Sequence, residues 1–347
     1  MGTCRLPPCR VWREDKAVQP VEFVHIAPDA ALPETLRGAV VAIGNFDGVH
    51  RGHQAVLECA LEEAKARGVP AVVLSFTPHP RQVFRPEMPL FQLTPSHLKA
   101  RLLQALGFSG LVELRFSREF ATQSAQSFID NILLGKLGVV HVVTGFDFHF
   151  GRNREGTPDF LKTAGEGAGF GVTMVEAFSD EGGERVSSSR VREFLCTGEI
   201  SQAAGLLGYR FIVEAPVQHG QKLGRTLGYP TANMTLPDDA TLAHGIYAVR
   251  LRRADGSLHD GVASFGRRPT VTSHGEPLLE TFVFDFSGDL YGEVCSVSFF
   301  AYLRGEVKFD GLDPLVEQMR RDEVEARAVL AAAQPIGPLD HRLNFSG

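Results

Sequence analysis

Along the first half of the chain, short apolar runs alternate with stretches whose apolar residues recur every three or four positions. The runs are Ala39–Ile43, Ala71–Phe76, Gly110–Leu114, Val139–Thr144 and Gly171–Ala177, each of strand length and bounded by turn or polar residues. Between them, 54–67, 96–106, 125–134 and 158–168 carry helix formers with apolar residues at helical spacing. Strands separated by crossover-length helices predict a parallel sheet covered on both faces. Such a sheet holds its ligand at the carboxyl ends of the strands. Four loops leave that edge, at 44–53, 77–86, 145–157 and 178–189, and all are rich in Gly, Pro, Asp, His, Arg or Ser.

The period then changes. Two short helical patterns, 191–197 and 200–207, lead into alternating segments at 209–217, 245–252, 260–265, 278–286 and 293–302. Turn residues separate these segments, which predicts a small antiparallel barrel. Pro314–Ala332 reads as an amphipathic helix closing it. The switch places a domain boundary near residue 187, giving an extension at 1–21, domains at 22–186 and 187–335, and a tail at 336–347. Extension and tail both read as poorly ordered.

At 347 residues the chain is long enough for two cores. A net charge of −6 offers no basic field, so a nucleic-acid partner is not expected. No apolar stretch reaches the roughly 18 residues that span a bilayer, and the N-terminus lacks a secretory pattern. Five scattered cysteines, Cys4, Cys9, Cys59, Cys196 and Cys295, fit no zinc spacing. Cys59 and Cys196 fall in predicted helices and read as buried thiols. A reducing cytoplasm and a monomer or weak homo-oligomer follow as expectations.

Candidate chemistry concentrates in residues 44–53, Gly-Asn-Phe-Asp-Gly-Val-His-Arg-Gly-His, directly after the run at 39–43. A strand, a Gly-containing turn and a helix start present unpaired backbone N–H groups and a partial positive charge, which suits a phosphate. His50 and His53 stand three apart and stack on one helix face, adding donors to the same anion. Gly44, Gly48 and Gly52 let the backbone approach a ligand. A His-x-x-His pair can also bind a metal, but zinc needs three or four ligands and none stands at a supporting spacing. Ordinary surface histidines are the bland alternative. There is no Walker A loop and no G-x-G-x-x-G.

The decapeptide resembles the His-x-Gly-His signature of the nucleotidyltransferase superfamily. With FTPHP at 76–80, GFDFHFGRNREG at 145–156, SSSRVR at 187–192, GRTLGYPTANM at 224–234, GVASFGRRPTV at 261–271, ETFVFDFSGDLYG at 280–292 and LRGEVKF at 303–309, the chain resembles the bacterial bifunctional riboflavin kinase/FAD synthetase family from about residue 22 to 335. The resemblance implies a Rossmann-like α/β nucleotidyltransferase domain, then a β-barrel kinase domain with a C-terminal helix. It implies two reactions with ATP as co-substrate: phosphorylation of riboflavin to FMN, then adenylylation of FMN to FAD, with Mg²⁺ as cofactor.

The resemblance also implies roles. His50 and His53 would hold the triphosphate and the charge growing on pyrophosphate, with Gly44, Asn45, Phe46, Asp47 and Gly52 forming the nucleotide turn. Ser188, Ser189, Arg190 and Arg192 would grip phosphate at a second helix start, although a Ser run before a helix also serves as an N-cap. Pro78, His79 and Phe84 would lie against the isoalloxazine with Asp147 near the flavin; Pro-His-Pro is otherwise a rigid turn. In the kinase half, Glu280 would take the proton of the ribityl hydroxyl, or else be an outward-facing strand carboxylate. Thr231 and Asn233 would offer oxygens to Mg²⁺, and Gly224, Arg225, Gly228 and Pro230 would belong to a nucleotide flap. The chain departs from the family pattern at His149, Ser189, Leu223 and Ser264-Phe265. A single-activity nucleotidyltransferase and a non-catalytic flavin binder are the alternatives; the kinase-like half speaks against the first, and an intact Glu280 against the second.

Overall fold

Val40–Ile43 is apolar without interruption, and all four side chains are buried. A strand like that needs cover on both faces. In a computed structural model, which describes residues 22–220, 228–268 and 275–346, it is an inner strand of a six-stranded sheet. The chain divides into two units, with the boundary between Val186 and Ser187.

The first unit contains β1 (Val24–Ile26), β2 (Val40–Ile43), β3 (Ala71–Thr77), β4 (Gly110–Arg115), β5 (His141–Gly145) and β6 (Gly171–Val175). All are parallel, in spatial order β1-β4-β3-β2-β5-β6. The helices are α1 (Arg51–Arg67), α2 (Pro80–Phe84), α3 (Ser96–Leu106), α4 (Ala125–Phe128, continued by a π-helical stretch, Ile129–Leu137) and α5 (Pro158–Ala168). Val41, Ile43, Val72, Leu74 and Val112 share a core with Phe128, Ile129 and Leu133 of α4 and Leu161 of α5, while α1 runs along β2 and β5. Gly68 stops α1 in the left-handed conformation, at φ 67°, where a side chain would be strained. Sequence periodicity missed β1 and α2. At three residues, with only Ile26 buried, β1 is too short to show a period; its place comes from pairing with β4.

The second unit opens with α6 (Ser188–Thr197) and α7 (Ile200–Leu207) and continues with β7 (Ile212–Pro216), β8 (Thr231–Thr235), β9 (Gly245–Arg252), β10 (Leu258–Arg268), β11 (Glu276–Val283) and β12 (Val294–Arg304). These strands are antiparallel in the order β7-β12-β9-β10-β11-β8. Just past β7, the Gln218 N–H donates to the Asn233 carbonyl at 2.8 Å. The two ends of the order therefore meet, and the sheet nearly closes into a barrel. The last long helix, α8 (Leu312–Ala332), covers β9, β10 and β12, and sets Ala326 and Leu330 against Ala248, Phe284 and Phe300.

Two expectations need correction. The segment expected to be a poorly ordered tail contains a helix, α9 (Pro338–Asn344), with Leu339, Asp340 and Leu343 buried. Asp340 accepts from Arg210 through both its backbone N–H (3.0 Å) and its guanidinium, and from the Ile336 N–H at 3.0 Å. The Arg210 guanidinium also lies 4.0 Å over the Phe300 ring. In seven residues the only apolar pair at helical spacing is Leu339 and Leu343, too little to mark a helix, and the partner that orders the segment is 130 residues away. Cys59 and Cys196, both expected to be buried, are half-buried and exposed respectively, whereas Cys295 is buried. Among the described residues, no helix is long and apolar enough to cross a membrane.

Candidate active sites

In the first unit the turn after β2 is held in an unusual backbone conformation. Phe46 (φ 48°), Gly48 (φ 88°) and Val49 (φ 39°) all lie in the left-handed region, which for a β-branched residue is a strained outlier. Thr94 holds it there: the Gly48 N–H donates to Thr94 Oγ1 at 2.8 Å, and Asp47 Oδ1 accepts the Thr94 N–H at 3.1 Å. Buried Asp47 thus orders the turn from within. Gly44 and Gly52 make room for the protein's own rings. A Cβ would stand 3.0 Å from the Phe46 ring at Gly44 and 3.3 Å from the His50 ring at Gly52.

His50 is the N-cap of α1, and its Nδ1 accepts the His53 N–H at 3.2 Å. That bond leaves the proton of the neutral ring on Nε2. The two imidazoles stack with centroids 3.6 Å apart and planes 16° from parallel, and the Phe46 ring meets His53 edge-on at 5.4 Å. Burial, then the neighbouring His50, then the Lys99 charge hold the His53 pKa well below its ordinary value. At neutral pH His53 is therefore an uncharged hydrogen-bonding ring rather than a cation. His53 Nδ1 and Asn45 Oδ1 are both buried without a hydrogen-bond partner. Unsatisfied polar atoms beside a helix N-terminus are what a polar ligand would complete.

Around this turn, the segment after β3 places Pro78 on the surface, beyond a cis Thr77–Pro78 bond. His79 caps α2: its Nδ1 accepts the Arg81 N–H at 3.1 Å, and its own N–H donates to Gln82 Oε1 at 3.2 Å. Phe84 is 54% exposed and stands edge-on to Phe116, 5.6 Å away. Phe116 in turn meets Phe76 and Phe120, making an aromatic wall. Phe116 and Phe120 lie in 116–124, outside the four loops expected to line the site. The signal was present, since Phe-Ser-Arg-Glu-Phe follows β4 at the same sheet edge. Asp147, in the loop after β5, takes a hydrogen bond from Arg185 at 2.5 Å, and that guanidinium lies 4.9 Å over Phe146.

In the second unit, Ser187 caps α6 by accepting the Arg190 N–H at 3.4 Å. Ser188 and Ser189 are then the first two helical residues, and Arg190 and Arg192 stand in the opening turns. Glu280 on β11 faces Asn233 on β8 across the ladder. With its amide oriented to satisfy both neighbours, Asn233 Nδ2 donates to Glu280 Oε1 at 2.8 Å and Oδ1 accepts the Gly220 N–H at 3.2 Å. Only glycine fits at 220, where a Cβ would lie 1.8 Å from the Asn233 amide. Thr231, two residues before Asn233 on β8, shares its face. Thr231, Asn233 and Glu280 are all hard oxygen donors, and a carbonyl oxygen keeps a second lone pair after accepting one N–H. That set fits a magnesium ion brought by a nucleotide. Gly228 is left-handed (φ 86°) and Pro230 is exposed; Gly224 and Arg225 lie outside the described residues.

Fold and sites together define the class: an ATP-using transferase of two units, a nucleotidyltransferase followed by a small-molecule kinase. Known sequences make that specific. The FAD synthetase family matches residues 32–190 and the riboflavin kinase family residues 207–330. The chain is 39% identical over 298 residues to the bifunctional riboflavin kinase/FMN adenylyltransferase of Escherichia coli (strain K12), covering 86% of this chain and 95% of that protein. Identity to the protein of that description from Pseudomonas fluorescens is 42% over 295 residues, 85% and 94% of the two chains. A crystal structure from Streptococcus pneumoniae, described as a macrolide-efflux protein, superposes with a TM-score of 0.75 at 32% identity, over 88% of this chain and 98% of that one. The chain belongs to the family of bifunctional riboflavin kinases/FMN adenylyltransferases. It phosphorylates riboflavin to FMN and adenylylates FMN to FAD, using ATP in both steps.

Proposed function

We propose that each unit carries one of the two reactions, with the residues in the following roles. In adenylyl transfer, an ionised phosphate oxygen of FMN attacks the α-phosphorus of ATP and pyrophosphate leaves, so alignment and charge stabilisation are the whole task. His50 and His53, with the first N–H groups of α1, bind the triphosphate and the charge that grows on pyrophosphate. Gly44, Asn45, Phe46, Asp47 and Gly52 shape that nucleotide turn. Pro78, His79 and Phe84, with Phe116 behind Phe84, take the isoalloxazine, and Asp147 lies near it.

In riboflavin phosphorylation the attacking group is a hydroxyl and must lose its proton. Glu280 accepts it as the ribityl oxygen bonds to the γ-phosphorus and ADP leaves. Asn233 fixes one oxygen of that carboxylate. Thr231 and Asn233 hold Mg²⁺, which neutralises and aligns the phosphates when bound. Gly228 and Pro230 belong to the nucleotide-binding segment. The enzyme works in the cytoplasm as a monomer or weak homo-oligomer without a nucleic-acid partner. What carries the reading is the stacked His50–His53 pair on a strained turn at a helix N-terminus, in the half of the chain that matches FAD synthetases. A fragment from residue 187 to the C-terminus, given riboflavin, ATP and Mg²⁺, should yield FMN and no FAD when the flavins are chromatographed. A folded fragment without kinase activity would contradict the division.

A further inference from the structure

The first unit buries a lysine that none of these roles uses. Lys99, on α3, is only 7% exposed. An ammonium carries three donors, yet among the described residues Lys99 makes one hydrogen bond, to Ser75 Oγ at 3.0 Å. The nearby carboxylates are engaged elsewhere: Glu113 by His25 (3.0 Å) and Ser96 (2.9 Å), Asp47 by Thr94. Burial, the largest effect, lowers the Lys99 pKa from its ordinary value, and Glu113 and Asp47 oppose that shift from a distance. Packing alone gives no reason for a lysine there, because an apolar side chain of similar length would bury at least as well. Buried charges with unused donors are found where function needs a fixed charge.

Lys99 lies beneath the nucleotide turn. Ser75 Oγ, which accepts from Lys99, donates onward to the Asn45 carbonyl at 3.3 Å. Asn45 opens the strained segment 46–49, and its own Oδ1 is one of the buried atoms lacking a partner. The Lys99 charge also reaches His53. The Lys99–Ser75–Asn45 chain therefore ends under the groups assigned to the triphosphate.

We propose that Lys99 is a positioning residue for adenylyl transfer, fixing the Asn45 end of the nucleotide turn through Ser75 and placing a positive charge beneath the bound triphosphate. This rests on the reading that His50 and His53 bind that triphosphate. The test compares full-length Lys99→Met, Ser75→Ala and His53→Ala in FAD synthesis from FMN and ATP, with riboflavin phosphorylation measured on the same preparations. Lys99→Met keeps the length of the side chain and removes the charge. It should melt at or above the wild-type temperature and lose about 10²-fold in kcat/KM for ATP, the scale of a misplaced site, with riboflavin phosphorylation unchanged. Ser75→Ala keeps the charge and cuts the link, so its loss should be smaller but in the same parameter. Wild-type FAD synthesis in folded Lys99→Met overturns the proposal, as does a loss matched by a fall in melting temperature or by failure to fold, which would make Lys99 structural. Wild-type FAD synthesis in Ser75→Ala overturns the relay. If His53→Ala is itself fully active, the underlying reading fails instead.

Discussion

Replacing Asp340 with Asn should unfold the second unit at a markedly lower temperature, although the change is isosteric and sits seven residues from the C-terminus. Asp340 is fully buried. Its Oδ1 accepts from the Arg210 N–H and from Asn344 Nδ2 (2.8 Å), and its Oδ2 from the Arg210 guanidinium and the Ile336 N–H. An amide can present only one acceptor oxygen, so one pair of donors would face an NH₂ group. Arg210, 10% exposed at its side chain, would also lose its counter-ion. Breaking a buried pair from one side costs about 3–5 kcal/mol, which for a unit of this size corresponds to roughly 6–20 °C in melting temperature. Scanning calorimetry of the full chain, with residual riboflavin kinase activity after heating to identify the second unit's transition, reads the shift directly. A shift within about 1 °C for Asp340→Asn, typical of a surface substitution, would refute the view that this pair anchors α9.

Two further outcomes are expected. Chelation should stop both FMN and FAD formation and added Mg²⁺ should restore both, while metal analysis of the purified protein should find no stoichiometric zinc; either activity persisting in chelator, or bound zinc, would contradict the cofactor reading. Burial holds both His53 and His141 below their ordinary pKa of 6.5 in the folded chain. The unfolded chain therefore takes up protons near pH 6.5 that the folded first unit refuses, so stability is full above that pH and falls below it. Urea unfolding at about pH 7.5 and about pH 5.5 should show a lower midpoint at the acid pH, with a smaller drop in His53→Gln; an equal or higher acid midpoint would contradict the assignment.

The legible parts of the molecule are those written in neighbouring residues. Apolar runs such as 39–43 and 71–76 gave the inner strands because burial on both faces leaves no polar position to blur them. The order Gly-Asn-Phe-Asp-Gly-Val-His-Arg-Gly-His marked the turn and the histidine pair because the whole device spans ten residues. What remained hidden depends on partners distant in sequence. Thr94 holds a turn 46 residues before it, Lys99 on α3 reaches Ser75 on β3, and Asp340 waits for Arg210. His79 and Ser187 show a subtler limit, since each caps a helix with an atom that its residue type also offers to a ligand. Asn233 was legible as an oxygen donor, but its contact with Glu280 needed the β8–β11 register.

Two chemistries in two units of one chain should come apart under point mutation, and chromatography of the flavins made by two variants reads that separation. Glu280→Gln keeps the shape of the side chain and removes the base. FMN formation should fall by about 10²–10⁴-fold, with FAD formation from supplied FMN nearly unchanged. His53→Ala should lose about 10²–10³-fold in FAD formation, as removal of a donor to developing charge does, while riboflavin is still phosphorylated and FMN accumulates as the end product. Circular dichroism must first show both variants folded. If either substitution abolishes both activities in a folded protein, the assignment of one reaction to each unit is wrong.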